Sequence, residues 1–354
     1  MLKVLASYDG DPTIATLGSH SALQILKGAK DEGFRTLVIC ERGRDAPYRR
    51  FGVADDILVL EKFKDILREE VIQKLRAKKA VIVPHGSLIA YVGIEGIEER
   101  LALPLVGNRF ILRWEADRGA ERRWLLEAGI RMPRETRDPR DIQGLSLVKF
   151  PGAKGGRGYF LVSSYDDFLE KSREMVRRGR ITQEDVGQAT IQEYIAGVNM
   201  YLSYFYSPLR DEVEFFSIDR RYEANIDGLT RIPASDQANA YIEPSYVVVG
   251  NIPIVARESL LPRILEMGDS IVRVSKRIAP PGMLGPFCLE TMVNQNLEFI
   301  AFEISARIVA GTNPYVEGSP YSSLIYGPGM SMGRRIAREI KEALKKGREE
   351  EFFT

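Results

Sequence analysis

Short apolar runs rich in β-branched residues alternate with helical periodicity through the first third of the chain. "TIATL" (13–17), "RTLVIC" (35–40), "DILVL" (56–60) and "AVIVP" (80–84) read as strands. Between them, "SHSALQILKGAKDEG" repeats Leu23, Ile25, Leu26 and Ala29 at helical spacing until Gly33 ends the element, and "FKDILREEVIQKLRAK" (63–78) reads as another helix. Strands that alternate with helices predict a parallel sheet covered by helices. In such folds ligands bind beyond the carboxyl ends of the strands.

From residue 116 the pattern changes. "RWEADRGAERRWLLEAGIRMP" predicts one amphipathic helix stopped by Gly129 and Pro133. "SLVKF", a glycine-rich stretch and "GYFLVSS" read as strand, turn, strand. A helix (165–178) and the strand "TIQEYIAG" follow. "MYLSYFYS", "EVEFFSIDRRYEAN" and "AYIEPSYVVVGN" look antiparallel, and "RESLLPRILEMGDSIVRVSKRI" and "MSMGRRIAREIKEALKKG" are helices. The predicted fold class is α/β, becoming α+β in the C-terminal part, with domains at 1–115 and 116–354.

The segment "LGPFCLETMVNQNLEFIAFEISARIVAGTN" (284–313) predicts a hairpin turning at "NQN". A two-residue turn at Gln295 and Asn296 pairs Asn294 with Leu297 and sets Glu290 opposite Ala301. Glu303 then shares the face of Glu290 one diagonal step away, roughly 7–8 Å off. Phe287, Leu289, Ile300, Phe302 and Ile304 take the other, core face. Two carboxylates so close repel unless a cation lies between them, and Mg²⁺ takes one or two protein carboxylates plus water and phosphate oxygens. The plainer alternative is a solvated strand face. A one-residue slip of register would part the pair.

Three loops carry further chemistry. "FPGAKGGRGYF" (150–160) combines four glycines with Lys154 and Arg157, a composition that lets backbone N–H groups close around phosphate. It matches neither GxxxxGK[ST] nor GxGxxG, so a glycine-rich hairpin turn is its alternative. "TLGSHS" and "VPHGSL" each follow a strand and open a helix, and they hold both histidines, His20 and His85. Free N–H groups at a helix start, with Ser19, Ser21 or Ser87 beside them, suit an anion such as a phosphate monoester. Ordinary serine capping is the alternative there.

Composition narrows the class. With 354 residues, 44% hydrophobic and 28% charged, the chain suits a soluble globular protein of about two or three domains. A net charge of +1 supports neither a nucleic-acid nor a membrane partner. Cys40 and Cys288 lie in apolar strand-like runs, as buried free thiols of a reducing compartment do. No leader pattern opens the sequence and no run of about 18 apolar residues occurs, so a cytoplasmic protein is expected.

The order of these parts resembles the ATP-grasp superfamily: a small α/β domain, a lysine ending a strand, a glycine-rich turn, "QEYI" and a two-glutamate hairpin. That resemblance implies a pre-ATP-grasp domain at 1–115, a small lobe at 116–198 bearing the glycine loop, and a large lobe at 199–354 bearing the metal site. It implies Arg122 and Lys149 at the phosphates, with Gly155, Gly156 and Gly158 closing over them. Gln192, Glu193, Tyr194 and Ile195 would hold adenine, Glu290 and Glu303 would bind Mg²⁺ or Mn²⁺, and Arg307 would steady the phosphoryl group. Asn199 stands where many relatives carry an acidic residue for the ribose, and Ser305 where many carry a metal-binding asparagine.

Longer blocks bring the likeness closer. "TIATLGSHSALQILKGAKDEGF", "PHGSLIAYVG", "GNRFILRWE", "DRRYEANIDGLTRIPA", "GNIPIVARESLL", "GPFCLE" and "FEISARIVAGTN" resemble the archaeal formate-dependent 5-formaminoimidazole-4-carboxamide ribonucleotide synthetases over nearly the whole chain. That likeness implies a carbon–nitrogen ligase of purine biosynthesis using ATP, formate and 5-aminoimidazole-4-carboxamide ribonucleotide. It also implies His20, Ser87 and Asn251 at the ribonucleotide, Glu223 at ATP, and a homo-oligomer, trimeric or hexameric. Two rivals stay open at this point: an ATP-grasp ligase joining another carboxylate to an amine, and a non-catalytic nucleotide-binding paralogue.

Overall fold

The computed structural model describes residues 2–8, 10–150, 159–237 and 247–354. Strands β1 (Thr13–Leu17), β2 (Thr36–Glu41), β3 (Asp56–Leu60) and β4 (Ala80–Ile82) form a wholly parallel sheet in the order β3-β2-β1-β4. The alternation of strand and helix forces this, because a parallel neighbour needs a crossover. Helix α1 (Ala22–Asp31) follows β1 and α2 (Gly86–Val92) follows β4. Because β1 and β4 are neighbours, both histidine loops emerge at the same end of one sheet.

The single helix predicted over 113–133 is two helices, α3 (Leu112–Ala116) and α4 (Arg118–Glu127). Asp117 between them is extended, and its side chain accepts the Ala120 N–H, so a local cap interrupts an otherwise continuous pattern. The expected helix over 63–78 likewise breaks at Arg68, into a 3₁₀ turn (Phe63–Leu67) and a helix (Glu69–Ala77).

A second sheet, ordered β5-β8-β6-β7, is antiparallel and carries β5 (Glu135–Thr136), β6 (Ser146–Lys149), β7 (Tyr159–Val162) and β8 (Thr190–Glu193). Helix α5 (Tyr165–Arg177) packs against it through Phe168, over a separate small core that includes Val148, Val162 and Ile191. The glycine stretch at 151–158, including Gly155, Gly156 and Gly158, lies outside the described residues.

The third sheet is antiparallel, ordered β11-β10-β9-β12-β13. Its strands are β9 (Gly197–Ser207), β10 (Glu212–Glu223), β11 (Val248–Ile254), β12 (Gly285–Asn294) and β13 (Phe299–Ser305). The run expected from residue 240 is a strand only from Val248, with 240–246 outside the described residues. One face of the sheet buries Tyr204, Phe287, Leu289 and Ile304 under α6 (Leu261–Ile278), whose Ile264 carbonyl accepts the Tyr204 hydroxyl, while α7 (Met332–Lys346) packs on the other face, with Arg335 over the Phe205 ring and Glu339 accepting from Ser207.

Helix α7 also joins this sheet to the first. A Cβ added to Gly28 of α1 would lie 2.1 Å from the Arg334 nitrogen, and one added to Gly333 would lie 2.2 Å from the Gln24 carbonyl. The two helices therefore touch backbone to backbone, which any larger residue would prevent. Gln24 then donates to Thr312 Oγ1 at 2.6 Å and Asn313 Oδ1 at 3.0 Å, and Asn313 donates to the His20 carbonyl at 3.1 Å. This chain of contacts sets the β1 loop over the polar face of the third sheet.

Candidate active site

That polar face is a row of cross-strand neighbours. Asp219 pairs with Tyr201, Tyr201 with Glu290, and Glu290 with Glu303. Two residues along β10, Arg221 pairs directly with Asn251 of β11. Above this wall, His20 and Arg307 complete a cavity of about 350 Å³ lined also by Asp219, Arg221 and Asn251. Cross-strand pairing puts these side chains on one face and leaves Ile218, the partner of Leu202, to the core.

The hairpin differs from the expected register. Asn294 bonds with Glu298, and Leu297 (φ +63°) donates to the Asn294 carbonyl, so the loop has three residues rather than two. Ala301 pairs with Thr291, and Phe302 is left over as a bulge before Glu303 pairs with Glu290. The acids are therefore direct partners rather than diagonal ones. Phe302 leaves the core face to which periodicity assigned it and packs edge-on against Tyr201, ring centroids 6.2 Å apart.

Glu290 is 2% exposed, and Arg221 Nη2 donates to its Oε1. Its Oε2 is buried without a hydrogen-bond partner among the described residues. Burial raises its carboxyl pKa first of all; Arg221 opposes and Glu303 reinforces the rise. An orphaned buried carboxylate oxygen facing a second carboxylate is what a hard, oxygen-seeking cation would satisfy, so this donor set fits Mg²⁺ or Mn²⁺.

Arg307 leaves the end of the same hairpin. Its Nη2 lies 2.8 Å from Glu115 Oε1, and Glu115 Oε2 accepts the Ala306 N–H at 2.7 Å. Glu121 of α4 accepts the Ile304 N–H at 2.7 Å. β13 is the edge of its sheet, and these two buried carboxylates replace the acceptors that a further strand would give. Burial raises the pKa of both acids, that of Glu121 to about 8. Arg307 is thereby held rigidly while its Nε stays buried and without a partner among the described residues.

The two histidines stack, ring centroids 5.3 Å apart and planes 3° from parallel. His85 is fully buried; its Nε2 reaches the Leu17 carbonyl at 3.0 Å and its Nδ1 accepts the Ser87 N–H at 3.2 Å. Those partners require a neutral ring protonated at Nε2. His20 has φ +53° and bonds Ser21 Oγ through Nδ1 at 2.8 Å. Its ring opens onto the cavity, yet burial, then His85, Arg307 and Arg221 push its pKa down to about 3. It faces the cavity as a neutral hydrogen-bonding group. Ser87 lies buried behind His85 and does not line the cavity.

Opposite, Asn251 Nδ2 donates to Asp219 Oδ2 at 2.8 Å, which leaves its Oδ1 and its second N–H for a ligand. Burial raises the Asp219 pKa to about 6 against the Asn251 hydrogen bond and Arg221. A Cβ on Gly311 would stand 1.9 Å from Asp219 Oδ1, so only glycine leaves room for that carboxylate.

On the second sheet, Lys149 ends β6 and donates to Gln192 Oε1 at 2.5 Å; Gln192 donates to Glu135 at 2.9 Å, and Arg122 lies 3.4 Å from Glu135. Burial, then Arg118, lowers the Lys149 pKa, while Glu135 and Glu303 raise it. Glu193 accepts the Arg134 N–H at 3.1 Å, Tyr194 is exposed, and Ile195 is half-buried beside them. Asn199 donates to the Tyr201 hydroxyl at 3.1 Å, and half-buried Glu223 ends β10.

Of the residues singled out in the sequence, His20, Asn251, Glu290, Glu303 and Arg307 meet in one cavity. Lys149, Gln192, Glu193, Tyr194, Ile195, Asn199, Glu223 and Ser87 do not line it. Sequence reasoning missed Asp219, Arg221, Tyr201 and Glu115. The alternation Asp219–Arg221–Glu223 against Phe216 and Ile218 was the available signal for the first two. Glu115 gave none, since its role depends on a strand edge almost two hundred residues away.

Two family profiles match the chain, one described as a domain of unknown function (DUF1297, residues 167–354) and one as a protein of unknown function (DUF1246, residues 14–136). A 5-formaminoimidazole-4-carboxamide-1-(beta)-D-ribofuranosyl 5'-monophosphate synthetase from Methanocaldococcus jannaschii is 54% identical over 346 residues, 98% of this chain and 96% of that protein. The protein of that name from Methanothermobacter thermautotrophicus is 53% identical over 355 residues, covering 100% and 98%. Among solved structures, an IMP biosynthesis protein PurP from Thermococcus kodakaraensis superposes with a TM-score of 0.76 at 33% identity, over 96% of this chain and 100% of that one. The ADP complex of an N5-carboxyaminoimidazole ribonucleotide synthetase reaches 0.63 at 14% identity, over 93% and 76%, a likeness of fold.

Proposed function

The chain belongs to the 5-formaminoimidazole-4-carboxamide ribonucleotide synthetase family, and from that premise we propose that it formylates the 5-amino group of the aminoimidazole carboxamide ribonucleotide with formate and ATP. The fold is ATP-grasp, and the activity is that of an ATP-dependent carbon–nitrogen ligase of purine biosynthesis. One observation supports the detailed reading above others: the acid pair Glu290–Glu303 and the polar groups of His20 and Asn251 share one cavity. A phosphoryl-transfer centre and an acceptor-binding wall must adjoin for an activated acyl group to pass between them.

Formate has no leaving group, so its oxygen must first take the γ-phosphoryl group of ATP. The amine then attacks the formyl carbon of formyl phosphate, the C–O bond to phosphate breaks, and the amine proton ends on the released phosphate. Mg²⁺ held by Glu290 and Glu303 would supply charge neutralisation to the phosphates. Arg307, fixed by Glu115, meets the charge that develops on the transferring group, and Lys149 meets the phosphates from the other sheet. The acceptor amine is a weak nucleophile because its lone pair is delocalised into the imidazole. Positioning by His20 and Asn251 therefore carries much of the rate, and well-oriented geometry is worth on the order of 7–11 kcal/mol.

ADP release measured with formate, the ribonucleotide, both or neither tests this reading. Release that needs both, with a formylated product, is expected. Release with another carboxylate in place of formate, or none at all, overturns it.

A further inference from the structure

We propose that Arg221 seats the small carboxylate substrate, holding it between the acid pair and the acceptor-binding wall. The inference rests on the ligase reading above and names the residue that would take the formate.

The acyl group must travel from the acid pair to the amine held near Asn251 and His20. Arg221 pairs across the ladder with Asn251, while its Nη2 reaches Glu290 Oε1. It therefore stands on the line of transfer.

Availability separates it from the other arginine of the cavity. The Arg307 side chain is 12% exposed, and its Nη2 is committed to Glu115, itself buried and tied to the Ala306 N–H. The Arg221 side chain is 33% exposed and opens onto the cavity. Its guanidinium carbon lies 4.5 Å from the Tyr201 ring centroid, which helps fix the position of the fork. A planar fork of N–H donors held in place recognises a carboxylate through two parallel bonds.

Glu290, the partner of Arg221, is also a side chain that a divalent cation would claim through its orphaned Oε2. Once that happens, the Arg221 charge is under-compensated and a small anion beside it is favoured. Carboxylate binding should therefore strengthen after the divalent ion and nucleotide are in place. The competing role is that of a counter-ion only, keeping Glu290 ionised and touching no substrate.

Steady-state ADP release by the full-length wild type, Arg221→Lys and Arg221→Gln decides between them. Lys keeps the charge beside Glu290 and loses the fork, so this variant suffices by itself should the Gln variant fail to fold. In Arg221→Lys the KM for formate should rise roughly 10- to 100-fold, while those for ATP and the ribonucleotide stay within about twofold. The line width of [¹³C]formate gives a reading without turnover. With Mg²⁺ and ADP present the wild type should broaden it, less so without them, and both variants should fail to broaden it. An unchanged formate KM in Arg221→Lys, or an effect confined to ATP and Mg²⁺ saturation, overturns the assignment and leaves the ligase reading standing. A wild type that releases no ADP with formate and ribonucleotide removes that reading and this inference together.

Discussion

Glu290 and Glu303 face one another because β13 carries one residue more than its partner. The three-residue turn after Asn294 alone would set Glu290 against Phe302 and send Glu303 to the core side. The bulge at Phe302 restores the face. The two irregularities cancel, and Phe302 itself is turned toward Tyr201. Bulges recur beside active sites because they re-aim a side chain in this way.

Glu303→Gln should keep the fold, since the side chain is half-buried and the amide is isosteric. ADP release should fall by at least about 10- to 100-fold, the range that even outer partners of a metal give. The Mg²⁺ concentration for half-saturation should rise in parallel. Full turnover with an unchanged Mg²⁺ titration would remove Glu303 from the metal site.

His20→Ala should raise the KM for the ribonucleotide about tenfold, the loss of one or two good hydrogen bonds, and leave the KM for ATP near its wild-type value. Because the His20 pKa lies near 3, no imidazole inflexion should cross the activity profile between pH 5.5 and 8. Both His20 and His85, the latter lowered to about 4 by burial, bind fewer protons folded than unfolded below pH 6.5. Their contribution is complete above pH 6.5 and is lost as pH falls toward those values. Melting temperature from pH 7 to 4 should therefore drop less steeply in His20→Gln. An equal slope in the two proteins would refute the depressed value.

Much of this was legible in the chain. Period-two alternation assigned Glu290 and Glu303 to one face, and strand–helix alternation brought both histidine loops to one sheet end. The register was not legible, because loop length and a compensating bulge leave the same alternation as a plain two-residue turn. Nor were the break at Asp117 and the roles of Glu115 and Glu121. A buried acid that serves a strand edge contributed by another part of the chain has the same local sequence as one on a solvated helix. Arg221 reads in the chain only as one position of a strand, and the pairing of β10 with β11 places it in the cavity.

Gly333→Ala should uncouple the two sheets. The added methyl would meet the Gln24 backbone at 2.2 Å, where no side-chain rotation relieves it, so α7 must shift from α1. Overpacking of this kind costs typically about 1–3 kcal/mol, read as a lower midpoint in urea unfolding. The same shift disturbs the Gln24–Asn313–His20 chain, so the ribonucleotide KM should rise although the substitution touches no ligand. Loss of stability with an unchanged KM would show that the helix contact does not position His20.

Glu121→Gln isolates the acid at the β13 edge. The amide oxygen can still accept the Ile304 N–H, so the strand edge stays satisfied. In the wild type, burial raises the Glu121 pKa to about 8, so between pH 4.5 and 8 the folded protein holds a proton that the unfolded chain has released. Its contribution is therefore complete below pH 4.5 and declines as pH rises through that window. The variant has no such titration. Its stability relative to wild type should increase steadily from pH 5 to 8.5, followed by chemical denaturation at each pH. A difference that stays constant with pH would mean that Glu121 is already ionised in the folded state, with the Ile304 N–H and Arg118 outweighing its burial.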